Sequence, residues 1–251
     1  MTRTLSKWQR IYVDGYDISG DARDVGTLSV DNEAIDLTCI PDSVKGVLLG
    51  TTKVTLGTIN GVLDPTATTG IHAVMNGAGV MRTVMIPQGM QAAPAQGDPV
   101  FMGEFEQKDY MNKDSYISMN FDNTSARATT LLYSNPWGWL LHAKSAVTAV
   151  NTAVGIDDYG AATAFGGYMA YMVFAGNGTA TISCQDAATN SDGSFAAITG
   201  ATTGSIDCST VKYGIVAIGR TADVRRYLRW QVAFGTATTL TFSLGFSRAI
   251  R

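Results

Sequence analysis

Residues 225–234 read RRYLRWQVAF and residues 239–246 read TLTFSLGF, with Gly235-Thr236-Ala237-Thr238 between them. In the first run Leu228, Trp230, Val232 and Phe234 share one face, and Tyr227, Arg229, Gln231 and Ala233 share the other. In the second run Leu240, Phe242, Leu244 and Phe246 stand opposite Thr239, Thr241 and Ser243. Successive side chains of a strand point to opposite faces, so a period of two marks a strand with one buried face. The Gly-containing turn predicts that these two runs pair as an antiparallel hairpin. This alternation decides the fold class, because it recurs along the chain while long helical periodicity does not.

Toward the N-terminus the pattern repeats. GGYMAYMVFAG (166–176) is a nearly unbroken apolar run, as expected of a central sandwich strand buried on both faces. TATISCQDA (179–187), SIDCST (205–210) and YGIVAIG (213–219) read as further strands, and DAATNSDGSFAAI (186–198) as a turn-rich connection. NPWGWLLHAKS (135–145), with Pro136, Gly138 and two Trp, reads as a transition between domains. In the first half, strands are predicted at 8–13, 25–30, 53–64 and 81–87, and a strand pair at 100–111 and 115–123. Asp14-Gly15 is a turn signal after the first of them. The 71–75 spacing predicts a short helix. DLTCIPDSVKGVLLG (36–50), with a Pro, two Gly and mixed charge, reads as an extended loop holding at most a helical turn. The prediction is an all-β chain with one short helix, divided into β domains at 1–134 and 135–251, each a sandwich or barrel.

The 251 residues allow a sizeable core. Charged residues make up only 16%, against about 25% in an ordinary soluble domain, which suggests a surface partly covered by partners. Residues 1–135 carry 10 Lys and Arg against 15 Asp and Glu; residues 136–251 carry 8 against 6. Neither half has the strong basic patch of a nucleic-acid binder. Seven acids fall between Asp14 and Asp36, with Arg23 opposing them, as a solvated face or as a negative wall that repels DNA. Cys39, Cys184 and Cys208 give no disulfide framework and read as buried free thiols of a reducing compartment. The opening MTRTLSKWQRIYVDGYD has no apolar signal region, and no run approaches the roughly 20 apolar residues of a membrane span. Synthesis and assembly in the cytoplasm are the expectation.

Catalytic grammar is sparse. His72 and His142 lack the partners of a zinc site. Glu104 and Glu106 are two apart on a predicted strand, a spacing that marks a solvent face more than an acid–base pair. No Ser sits in a G-x-S-x-G elbow. No enzyme activity and no cofactor is expected. Arg225, Arg226 and Arg229 form the cationic cluster of the chain, either a solvated strand edge or an interface cluster for a neighbour's acids.

WQRIYVDGYDISG, DLTCIPDSVKGVLLG followed by TLGTINGVLD, and GDPVFMGEFEQ with SYISMNFDNTS are similar, in pattern and order across about residues 5–130, to the siphophage tail-tube (major tail protein) family of tailed-bacteriophage virion proteins. The C-terminal half resembles β-sandwich modules appended to phage structural proteins. The resemblance implies a tail-tube-like β domain, a long loop that reaches adjacent subunits, and a second, decorating sandwich. It implies a homo-oligomer in hexameric or trimeric rings, contact with other virion tail proteins, and DNA only in transient non-specific passage through a lumen, without a membrane. Assembly-interface candidates are Asp36, Asp42, Lys45 and Lys53 around the loop, and Arg225, Arg226 and Arg229. Two other roles stay open: a capsid decoration or head–tail neck protein, and a carbohydrate- or receptor-binding tail module. The latter's aromatic platform would draw on Tyr133, Trp137 and Trp139.

Overall fold

The computed structural model of the chain describes residues 8–39, 46–90, 92–122, 135–160 and 162–249. The first half holds strands β1 (Tyr12–Val13), β2 (Tyr16–Asp17), β3 (Ala22–Val25), β4 (Leu28–Asp36), β5 (Val47–Leu56) and β6 (Ile59–Val62). Helix α1 (Ile71–Met75) follows, then β7 (Val80–Pro87), β8 (Pro99–Gln107), β9 (Met111–Lys113), β10 (Tyr116–Met119) and β11 (Phe121–Asp122). The second half holds β12 (Trp137–Val147), β13 (Ile156–Asp157), β14 (Gly167–Gly176), β15 (Thr179–Ala187), β16 (Ala196–Thr202), β17 (Ile206–Asp207), β18 (Lys212–Ile218), β19 (Tyr227–Phe234) and β20 (Leu240–Arg248). The fold is all-β with one short α-helix among the described residues, as the alternation predicts.

One nine-stranded sheet runs through both halves of the chain, in the order β18-β14-β20-β12-β8-β7-β1-β2, with β11 beside β8. The stretch read as a transition between domains is itself strand β12, hydrogen-bonded to β8 on one side and β20 on the other. This sheet is buried on both faces. On one face Val13, Val84, Ile86, Phe101 and Phe105 pack beneath the four-stranded sheet β3-β6-β10-β9 and α1. On the same face of the other half, Leu141, Met169, Val173, Phe242, Leu244 and Phe246 pack beneath the sheet β13-β19-β15-β16. The alternate residues Tyr12, Met85, Val100, Met102, Leu140, Tyr168, Ala170 and Met172 form a third core on the opposite face. The sheet rolls around that core as a half-barrel, so that its far ends approach: Tyr12 meets the ring of Phe174 edge-on at 5.0 Å. The Tyr168 hydroxyl lies 3.0 Å from the Met102 carbonyl and 2.9 Å from that of Asn135, which satisfies a phenol that is otherwise fully enclosed.

Several local predictions hold. Asp14 and Gly15, with φ of 50° and 79°, make the two-residue turn between β1 and β2. The helix at 71–75 is present, with Ile71, Val74 and Met75 buried.

Three readings are corrected. The terminal runs do not pair with each other: β19 pairs with β15 and β13, whereas β20 pairs with β14 and β12. The link is an arch from one sheet to the next. Gly235 and Ala237 donate to the Thr179 carbonyl, and the Asn177 side chain accepts from Thr238 and Thr239. The predicted apolar faces are buried, but against each other across a sandwich, because facing sheets cover more apolar surface than adjacent strands do. The proposed pair at 100–111 and 115–123 holds only at one end, where β11 pairs with β8; β8 otherwise pairs with β7 and β12, and β10 pairs with β9 and β6. Lastly, 36–50 is not simply loop. Residues 47–50 belong to β5, which pairs with β4 in a long two-stranded ribbon.

Candidate assembly surfaces

The ribbon is the continuation of a hairpin that begins inside the four-stranded sheet. β3 pairs with β6, the chain bends, and the same two segments pair again as β4 and β5. At the bend Gly26 donates to the Thr58 carbonyl at 2.8 Å and Gly57 donates to that of Thr27 at 2.7 Å. A Cβ on Gly57 would stand 2.4 Å from the Thr27 nitrogen, so the crossing of the two backbones requires glycine there. Beyond it the ladder runs from Leu28 opposite Leu56 to Asp36 opposite Val47, with an irregularity at Asn32–Ala34.

The root of the ribbon is anchored: Val54 and Leu56 are fully buried in the N-terminal core, with Leu28 packed beside them. Its far end is not. Ile35, Leu37, Val47 and Leu48 are 42%, 54%, 51% and 54% exposed. Leu37 donates to the Gly46 carbonyl and Gly46 to the Thr38 hydroxyl, which hold the two limbs together there. Four large apolar side chains at the end of the ribbon form a contact surface without a cover among the described residues.

A second apolar surface lies on the outer face of the four-stranded sheet. Ile59, Ile117 and Met119 point into the core, so their alternates Asn60, Val62, Tyr116 and Ser118 point out. Val62, Met111 and Tyr116 are 46%, 51% and 56% exposed. The Arg23 guanidinium covers the Tyr116 ring at 5.1 Å, and Asn60 donates to Asp24. Together with Lys113 these groups line a groove of about 470 Å³ across all four strands.

Of the sequence candidates, Asp36 lies exposed at the ribbon's far end and Lys53 on β5 opposite Asp31. Asp42 and Lys45 lie outside the described residues, as does Tyr133. The three arginines sit elsewhere, each beside an acid of its own chain. Arg226 makes a two-point contact with Asp157 at 2.9 and 2.6 Å, which holds that carboxyl below its ordinary range. The Arg225 backbone donates to Asp186 at 2.7 Å. Arg229 is buried: its guanidinium meets Asp192, Gln185 and the Ala153 carbonyl, and lies over the Phe195 ring at 4.4 Å. Residues the sequence reading missed are the apolar ones of the ribbon end and sheet face. Their one signal was the run Val47-Leu48-Leu49 within an otherwise mixed stretch.

Trp137 packs edge-on against Phe101 at 5.2 Å within the N-terminal core. Trp139 pairs at 5.9 Å with Tyr159, which is 78% exposed and held at φ 57°. His142 is enclosed between Phe242 and Trp230, at 4.2 and 4.5 Å, and burial there lowers its pKa to about 4. Cys184 and Cys208 are buried as read, which raises their thiol pKa, whereas Cys39 is exposed at the ribbon end. Among the described residues, no group of three or more His, Cys, Asp or Glu side chains gathers in a way that could hold a metal ion, and no helix is long and apolar enough to cross a membrane.

No family model and no curated protein sequence matches the chain. Among solved structures it is similar to the SPP1 Dit protein, described as a paradigm of the hub adsorption apparatus in phages that infect Gram-positive bacteria. The likeness covers 95% of this chain and 98% of that one, at 10% identity and a TM-score of 0.32.

Proposed function

We propose that this chain is a structural protein of a tailed-phage virion, a tail-tube subunit whose copies close into rings around a lumen that conducts DNA. The observation that carries the reading is the ribbon: a two-stranded projection rooted in the core, whose far end leaves Ile35, Leu37, Val47 and Leu48 exposed among the described residues. Burial of such a patch against a neighbouring copy is favourable by about 25 cal/mol for each Å² removed from water. A patch that meets a different patch on the next copy makes a heterologous contact, which closes into a ring when the rotation between copies allows it.

In this reading the chain acts by assembly and carries out no chemical turnover. The acidic balance of the first half suits a lumen that does not retain DNA, since phosphates bind basic surfaces. The second half decorates the outside, and rings stack with other tail proteins. Sedimentation over a concentration series tests assembly. Wild-type chain is expected to form species of several copies, and Leu48→Lys to remain monomeric at the same concentrations. A wild type that stays monomeric at every concentration contradicts the reading.

A second reading has one observation in its favour. The exposed Tyr159 beside Trp139 offers an aromatic surface of the kind that sugars stack on, which favours a carbohydrate- or receptor-binding tail module. Retention on immobilised cell-wall polysaccharide, lost in Tyr159→Ala, supports it; equal retention of the two proteins removes it.

A further inference from the structure

We propose that the ribbon end of one copy seats on the outer face of the four-stranded sheet of the next. This rests on the assembly reading and names the acceptor surface. Both patches are exposed in the same chain, so neither is satisfied by the other within one molecule. They match in chemistry. Exposed positions along the ribbon carry Asp31, Glu33 and Asp36 against Lys53, a net negative charge. The groove carries Arg23 and Lys113 against Asp24, a net positive charge, around the apolar Met111 and Tyr116. Opposite charge around two apolar centres favours this pairing over ribbon on ribbon or face on face, where like charges meet.

The geometry also suits a repeating contact. The ribbon grows from β3 and β6, two strands of the very sheet that carries the acceptor face. One continuous hairpin therefore sets the direction of the ribbon relative to its own acceptor face in every copy. The same rotation recurs from copy to copy, and the contact closes into a ring when that rotation returns to the first copy.

Cys39, exposed beside Leu37 at the ribbon end, is a native reporter, while Cys184 and Cys208 are buried. A Met111→Cys variant places a thiol in the groove, and Thr199→Cys places one on the distant exposed strand β16. After mild oxidation of assembled protein, linked peptides are identified by mass spectrometry. A disulfide between Cys39 of one copy and position 111 of another is expected in the first variant. The corresponding link in the control is expected to be weaker by about tenfold or more, as suits a specific contact. In parallel, Tyr116→Glu with an unchanged melting temperature is expected to raise the concentration for half-assembly by about tenfold or more. If wild type assembles and Leu48→Lys does not, yet no 39–111 link forms and Tyr116→Glu assembles normally, the acceptor face is wrong and the assembly reading stands. If wild type neither assembles nor cross-links, both fall.

Discussion

Gly26 and Gly57 face each other where the hairpin leaves the four-stranded sheet and becomes the projecting ribbon, each donating to the carbonyl of the residue that follows the other. A Cβ on Gly57 would come within 2.9 Å of the Gly26 Cα as well as 2.4 Å of the Thr27 nitrogen. Those are backbone atoms, so relief requires the strands to part. Gly57→Ala is expected to destabilise the fold by about 1–3 kcal/mol, as overpacking does elsewhere. Urea unfolding measures it, and the variant should also assemble less readily because its ribbon is mis-aimed. An unchanged unfolding midpoint would show that the bend tolerates a methyl group.

Arg248 and Asp158 form an ion pair with side chains 12% and 3% exposed. The same guanidinium reaches the Val224 and Arg225 carbonyls, so it ties the end of β20 to two loops. Burial raises the Asp158 pKa even with the arginine opposing that shift. Arg248→Met leaves the carboxyl buried without its counter-charge, and a loss of about 3–5 kcal/mol is expected. Asp158→Asn added to Arg248→Met should recover part of that loss. Thermal unfolding of the two variants decides it; equal melting temperatures for the single and double variants would contradict the pairing as the cause.

These elements show what was legible in the sequence. Alternation identified the apolar faces of β19 and β20 that meet across the sandwich, but not that β20 is buried on its other face too, where Ser243 and Ser247 are fully enclosed. It did not identify their partners. Gly235-Thr236-Ala237-Thr238 has the composition of a hairpin turn, but its hydrogen bonds go to Thr179 and Asn177, residues far away in the chain. The Asp14-Gly15 turn and the 71–75 helix were legible because both are local. The ribbon was not. A two-stranded element away from a core has no buried face to impose alternation, so residues 47–50 carried no strand signal. The arginine cluster was visible as charge, but burial of Arg229 under Phe195 depends on a contact 34 positions distant in sequence.

His142 predicts a pH dependence. Its pKa falls from 6.5 to about 4 on folding, because burial between Phe242 and Trp230 disfavours the charged ring. Between those values the unfolded chain binds a proton that the folded chain does not. Stability from this group is therefore full above about pH 6.5 and declines as pH falls toward 4. From pH 7.5 to pH 5 the loss is expected to be about 2 kcal/mol. His142→Phe should remove that component. Chemical denaturation of both proteins at the two pH values checks it, and an equal pH response would rule out His142 as its source.

Ring formation through the ribbon is the central claim. Negative-stain electron microscopy of the purified chain at high concentration tests it most directly, with Leu48→Lys imaged beside it. The account predicts rings or stacked tubes with a central channel for the wild type, threefold or sixfold in symmetry, and isolated particles for the variant. Isolated particles without a channel in both samples would contradict it.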